Sequence, residues 1–230
     1  MLNLTDVYLR QDDFELRANL TIGDGRCVAV MGPSGAGKST LLSILGGFQT
    51  LTSGRLTWHD ADISDVPPSQ RNVAMVFQDN NLFPHMTAFQ NVGLGIAARL
   101  KLRKAEVDRV NTALDAVGLA GLGARRPSEL SGGQQSRVAL ARLLVQRKPL
   151  ILMDEPFSAL GPAMRLEMAD LARDIAERTS ATLLMVSHDF KDVERIADDV
   201  IWVEAGVCLP PQPLSEFLAS PPSGFTDYLG

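Results

Sequence analysis

The stretch CVAVM, residues 27–31, runs directly into GPSGAGKST, Gly32 to Thr40, and then into a segment with Leu41, Leu42, Ile44, Leu45 and Phe48. A short, continuously apolar run reads as a strand covered on both faces, hence as part of a parallel sheet. The segment beyond the glycines has helical spacing. No other feature constrains the fold as much, because a parallel strand needs a crossover helix and a layer on each side of the sheet. The turn matches G-x-x-x-x-G-K-[ST] from Gly32 to Ser39, in the strand–loop–helix context that the motif requires. Its glycines let the backbone of Gly32, Pro33, Ser34, Gly35, Ala36 and Gly37 bend so that N–H groups face an anion. The following helix start adds partial positive charge. Lys38 is expected to reach the β- and γ-phosphates of a nucleotide, Ser39 to ligate Mg²⁺, and Thr40 to complete the site.

The rest of the chain agrees with an α/β layered core. VAMVF (73–77), LILM (150–153), TLLMVS (182–187) and VIWV (200–203) are further continuous apolar runs. Leu16, Ala18, Leu20 and Ile22 alternate with polar residues, which predicts a half-buried antiparallel strand, and Leu56 and Trp58 predict a short one. Helices are predicted around Val107–Val117, with Gly118 as a stop, around Val138–Val145, and from Pro162 onward through Met164, Met168, Leu171 and Ile175. Residues 85–147 lack a strong strand run and read as a mostly helical insertion. The tail from Pro210 is proline-rich and too short for another domain.

LILMDEP (150–156) places Asp154 at the end of an apolar strand, where its carboxylate can hold the Mg²⁺ shell. Glu155 follows and can polarise a water in line with the γ-phosphate. The formal charge of −5 argues against a nucleic-acid surface, yet leaves room for a local phosphate site built from backbone N–H groups and one lysine. Cys27 lies in an apolar run and reads as a small buried hydrophobe, and the two cysteines suggest no disulfide framework. The N-terminus shows no signal pattern, and no run reaches the ~18 apolar residues of a membrane span. A soluble protein is expected, one able to sit against a membrane protein.

LSGGQ (130–134) is a second glycine-rich helix start, well separated from the first. With it, the order of motifs resembles the ATP-binding cassette family along essentially the whole chain. The phosphate loop is 32–40, the family's Q-loop falls at Gln78, the signature at 130–134, the Mg²⁺ strand and acid at 150–155, the D-loop at SALG (158–161), and the switch histidine at His188. The resemblance implies a P-loop NTPase with a RecA-like parallel-sheet core, an N-terminal antiparallel β-subdomain and an inserted α-helical subdomain. One cassette domain would span 1–230, with core and β-subdomain in 1–84 and 148–230 and the helical subdomain in 85–147. It implies ATP and Mg²⁺ as cofactors, with Ser39, Gln78 and Asp154 at the metal and Glu155, His188 and Gln78 in catalysis. It also implies a second copy arranged head to tail, whose γ-phosphate is met by Ser131, Gly132, Gly133 and Gln134; Ser131 also suits a helix N-cap.

The segment FQDNNLFPHMTAFQNVGLG (77–95) resembles the importer branch, with Leu82, Phe83 and Met86 as candidates for a groove that receives a permease helix or for subdomain core. This implies a transmembrane permease partner, indirectly an external or periplasmic solute-binding protein, no nucleic acid, and a peripheral position on the cytoplasmic face of the bacterial inner membrane. Thiamine or a thiamine phosphate is the implied cargo, with iron, sulfate, polyamine and phosphonate import as alternatives. Three departures stand out. The D-loop has Gly161 where the family has Asp, which puts coupling between paired sites in doubt. Ser136 stands where Gln is common, with little effect expected. The aromatic residue that stacks on adenine has no clear motif, with Tyr8 the first candidate and Phe14 the second.

Overall fold

The structure, a computed structural model, describes residues 1–99 and 101–229. In chain order its main elements are β1 (Leu2–Gln11), β2 (Phe14–Ile22), β3 (Cys27–Met31), α1 (Lys38–Gly46), β4 (Ser53–Trp58), β5 (Ala61–Asp62), β6 (Val73–Val76), α2 (Ala88–Gly93), α3 (Lys104–Ala116), α4 (Gly132–Gln146), β7 (Leu150–Asp154), α5 (Pro162–Thr179), β8 (Thr182–Val186), α6 (Phe190–Ile196), β9 (Asp199–Glu204), β10 (Val207–Cys208), β11 (Gln212–Pro213), α7 (Leu214–Ala219) and α8 (Ser223–Leu229). The strands join in the order β5-β4-β1-β2-β10-β9-β3-β8-β7-β6, with β11 added to β9. Strands β9, β3, β8, β7 and β6 are parallel, whereas β1, β2, β4 and β5 pair antiparallel. The α/β fold with a parallel core and an antiparallel N-terminal sheet is therefore as the sequence predicts.

The parallel strands show why their sequences are apolar throughout. In β3, Cys27, Ala29 and Met31 enter one core while Val28 and Val30 enter the other. The same split divides Ile151 and Met153 from Leu150 and Leu152, and Trp202 from Ile201 and Val203. Side chains alternate across a sheet, so a strand covered on both faces has no polar position to spare. One core lies under α2–α6 and the C-terminal helices, the other under α1 and the antiparallel strands. No helix among the described residues is long and apolar enough to cross a membrane.

Helix α1 carries the phosphate loop at its start, so its other end must be anchored without moving that start. Arg71 does this. Its guanidinium donates to the carbonyls of Ile44 (2.6 Å) and Leu45 (2.8 Å) in the last turn of the helix, where Ile44 O also accepts from Gly47 N–H, and to those of Val66 and Ser64. Arg71 is 5% exposed, and burial pushes its guanidinium below the ordinary arginine value, with Asp65 opposing. Arg71→Met should retain the apolar stem but remove these four hydrogen bonds, at a cost of about 3 kcal/mol. Urea denaturation should show the lower midpoint with an unchanged slope; an unaltered midpoint would mean that α1 does not depend on this anchor.

Candidate functional site

The pairing register of three parallel strands builds the site. Val30 of β3 stands opposite Val186 of β8, which stands opposite Asp154 of β7. Each strand then releases its chain at the same edge. Gly32 follows two residues after Val30, His188 two after Val186, and Glu155 one after Asp154. Strand spacing of about 4.8 Å sets the width of this row. Val76 of β6 pairs with Met153, so Gln78 leaves the sheet beside the acidic strand.

In the loop, Ala36 N–H donates to Pro33 O at 3.2 Å and Leu41 N–H to Gly37 O at 2.9 Å, closing the turn into α1. Ser34, Gly35 and Ser39 are exposed, Thr40 is half-buried, and Ala36 and Gly37 are buried. Lys38 folds back over the loop, donating to Gly32 O (2.7 Å) and Pro33 O (2.8 Å). Burial pushes its ammonium below the ordinary lysine value, against the pull of Glu155 and Asp154. A buried cation bonded only to carbonyls is one that an anion stabilises.

Ser39 Oγ donates to Asp154 Oδ1 at 3.0 Å. Burial raises the Asp154 carboxyl above the usual range, opposed by that bond, by Lys38 and by His188. Gln78 and Asp154 line one cavity of about 610 Å³. A hydroxyl, a carboxylate and an amide oxygen are hard donors suited to Mg²⁺, which takes one or two carboxylates and completes its octahedron with waters and phosphate oxygens. Beside them, His188 Nε2 contacts Glu155 Oε2, and Glu155 N–H donates to Val186 O at 3.2 Å. Glu155 holds a left-handed backbone, φ 48°, at a cost of about 1–2 kcal/mol for a non-glycine residue. That turn aims its side chain across the row rather than along the strand.

The signature residues stand apart. No hydrogen bond among the described residues joins Ser131–Gln134 to loop 32–40. Ser131 N-caps α4: its hydroxyl accepts from Gln134 N–H at 3.3 Å, and Gln134 Oε1 accepts from Ser131 N–H at 3.0 Å. The N–H groups of Gly132 and Gly133, in the first turn, have no partner within their helix. Met164 lies directly over Gly133, and Leu160 reaches Gly132, so the start of α5 and the loop before it pack against the signature within one chain.

Three side chains outside the motifs tie the parts together. Arg142 of α4, 9% exposed, donates to Asn81 O and Asn80 O, both at 3.0 Å. Ser136, buried, accepts from Asn80 Nδ2 at 3.3 Å. The signature helix thus grips the segment just after Gln78, which gives Ser136 a structural task where little effect is expected from the sequence. Arg165 of α5 pairs with Asp189, one residue beyond His188. Nothing in the sequence marked Arg142.

The aromatic candidates differ in surroundings. Arg17 lies over the Tyr8 ring, 4.9 Å from its centroid. The Phe14 ring lies against Gly37 in the phosphate loop. At the D-loop, Gly161 N-caps α5 with φ −67° and open space where a Cβ would go, so nothing in this chain's own fold requires glycine there. Leu82 packs on the core, whereas Phe83 is 45% exposed.

The fold and this row of loop, acid and histidine define a nucleotide-hydrolysing cassette. The ABC transporter family matches residues 16–158, and the chain belongs to that family. It is 53% identical over 230 residues, all of both chains, to the "Thiamine import ATP-binding protein ThiQ" of Ruegeria sp. (strain TM1040). It is 49% identical over 206 residues to the protein of the same name from Escherichia coli (strain UTI89 / UPEC), covering 90% of this chain and 89% of that one. Among solved structures, the dimeric bacterial ABC transporter cassette MJ0796 is similar with a TM-score of 0.79 at 30% identity, over 93% of this chain and 99% of that one. The ADP conformation of the cassette MJ1267 shares the fold with a TM-score of 0.89 at 22% identity, over 100% of this chain and 98% of that one.

Two loop glycines answer to different constraints. A Cβ on Gly32 would lie 1.9 Å from the backbone oxygen of Val203, at φ 144°, whereas one on Gly35, at φ 77°, would meet open space. Gly32→Ala should therefore cost more than about 3 kcal/mol, and Gly35→Ala only about 1 kcal/mol of backbone strain. Thermal melting of the two variants side by side checks this; equal losses would contradict the packing of the loop start on β9.

Proposed function

We propose that this chain is the ATP-hydrolysing subunit of an importer that takes up thiamine or a thiamine phosphate through a separate membrane permease. Full-length identity of 53% to a thiamine import ATP-binding protein carries the reading of the cargo. The site supports the chemistry. Apart from Pro33, which has no backbone N–H and only shapes the turn, loop residues 32–37 and Thr40 receive the phosphates by their backbone N–H groups, and Lys38 exchanges its two carbonyl partners for phosphate oxygens. Ser39 and Asp154, with Gln78 beside them, would hold Mg²⁺, which neutralises charge on the β- and γ-phosphates when bound. Glu155 orients a water toward the γ-phosphorus, and His188 turns from Glu155 to the γ-phosphate. The products are ADP and inorganic phosphate. Positioning and charge stabilisation account for most of the acceleration.

A second copy completes the pocket. Its Ser131, Gly132, Gly133 and Gln134 meet the γ-phosphate held by this chain's loop. The dimeric cassette at 30% identity supports this arrangement, as do the exposed Ser131 and Gly132. Exposed Phe83, beyond the gripped Asn80–Asn81 segment, is the contact we assign to the permease, and a peripheral position on the cytoplasmic face of the inner membrane belongs to the same reading. A solute-binding protein outside selects the cargo. Tyr8 or Phe14 stacks on adenine, Phe14 being the one that touches the loop.

Glu155→Gln keeps the shape and removes the charge that orients the water. Steady-state ATP turnover should fall by at least about 100-fold, with nucleotide affinity retained and an ATP-bound dimer accumulating in size-exclusion chromatography. Turnover at the normal rate would remove the hydrolytic reading. In the reconstituted importer, thiamine-loaded binding protein should stimulate turnover. Stimulation only by a protein loaded with another solute would reject thiamine alone.

A further inference from the structure

Behind the Glu155–His188 pair lies a cavity of about 580 Å³, lined among others by Glu155, Ser158, Arg165, Ser187, His188 and Tyr228. Tyr228 comes from α8, the last helix, which the tail's composition did not suggest. That helix is fastened by aromatic contacts. Tyr228 meets Trp202 edge to face, centroids 5.5 Å apart, and Phe225 meets Trp202 at 5.8 Å and Phe190 at 5.7 Å. Phe190 is two residues beyond His188. The C-terminal helix is thus packed on the segment that carries the switch histidine.

The cavity's other hydroxyls and the end of the Arg165 guanidinium are occupied, whereas Arg165 Nε, buried and without a hydrogen bond, lies 3.5 Å from Asp192 Oδ1 within an ion pair. Ser158 Oγ donates to Glu155 O at 3.1 Å, Ser187 Oγ to Asp192 Oδ2 at 3.0 Å, and Arg165 to Asp189. Lys191 sits exposed at the rim. The Tyr228 hydroxyl is buried and has no hydrogen-bond partner among the described residues. Burial pushes this phenol up to about 12, and the neighbouring carboxylates of Glu155 and Asp189 push in the same direction, so it keeps its proton at neutral pH. A buried hydroxyl without a protein partner is costly, and such a group calls for an explanation in water, an ion or a functional role.

Glu155 needs such a partner. Its side chain is 18% exposed, and its carboxylate pairs with His188. When His188 turns to the γ-phosphate, a nearly enclosed carboxylate is left without a donor. We propose that Tyr228 is a positioning residue for hydrolysis, its hydroxyl donating to the Glu155 carboxylate once His188 has left it, so that the C-terminal helix holds the base aimed at the water. This rests on the reading of Glu155 given above. The hydroxyl acts only in the state that reacts, so it bears on kcat and leaves ATP binding alone.

The test is Tyr228→Phe in the full-length protein assembled with its permease, beside the wild type and Glu155→Gln. The phenyl ring keeps the packing on Trp202 and removes the hydroxyl alone. The expected result is a fall in kcat of about tenfold, the loss for one hydrogen bond to a charged group, with KM for ATP, fluorescent-nucleotide affinity and melting temperature unchanged. A fall of less than about threefold, or a larger one accompanied by a change in KM, affinity or melting temperature, overturns the proposal. If Glu155→Gln itself turns over like the wild type, the reading of Glu155 fails first; if only Tyr228→Phe is silent, the proposal alone fails.

Discussion

The register of the parallel ladder is the constraint on which the site depends. Val30, Val186 and Asp154 face one another across three strands, so the phosphate loop, the histidine and the acids leave the sheet in one row. A slip of one residue between β7 and β8 would turn Ile151 and Met153 from one core to the other. It would also move Glu155 out of reach of His188. Packing and chemistry therefore enforce the same alignment. Both cores must be filled for the row to exist, which is why the polar residues of these short strands, Asp154, Thr182, Asp199 and Glu204, stand at their ends.

The same elements explain what could be read from the sequence. The parallel strands are legible because burial on both faces leaves an unbroken apolar run. The loop is legible because its glycines, lysine and serine follow such a run. Strand β1 is not, although Leu2, Leu4, Val7 and Leu9 are all buried. Its alternation breaks between Leu4 and Val7, where the register shifts and Asp6 takes φ 47°, so the apolar residues stop matching a period of two. The tail is silent for another reason. Its prolines and short length exclude only a further domain, while Phe217, Phe225 and Tyr228 collect around Trp202, an association set by tertiary packing alone.

Contacts made by side chains outside the motifs are the least legible. Arg142 resembles any arginine on an amphipathic helix. Its role follows only from where α4 meets Asn80 and Asn81, whose left-handed backbones turn their carbonyls toward it. A buried guanidinium bonded to main-chain oxygens fixes distance without needing a partner charge. Arg71 does the same at the end of α1. These two arginines hold the segment after Gln78 and the helix after the phosphate loop, and both act on backbone, where sequence leaves no trace.

The signature shows how one helix start can serve two masters. Its serine hydroxyl and glutamine side chain are used locally, closing a capping box that fixes the first turn of α4. That leaves the N–H groups of Gly132 and Gly133 for whatever approaches from outside, along the axis where the helix dipole favours an anion. Within the chain, this start is touched by Leu160 and Met164, residues that follow the acidic strand directly. Gly161 between them, the N-cap of α5, offers neither a capping side chain nor a carboxylate, so the contacts this loop makes with the signature in this chain are apolar. Such contact transmits position but is indifferent to charge. The loop that follows Glu155 therefore meets the signature through side-chain packing.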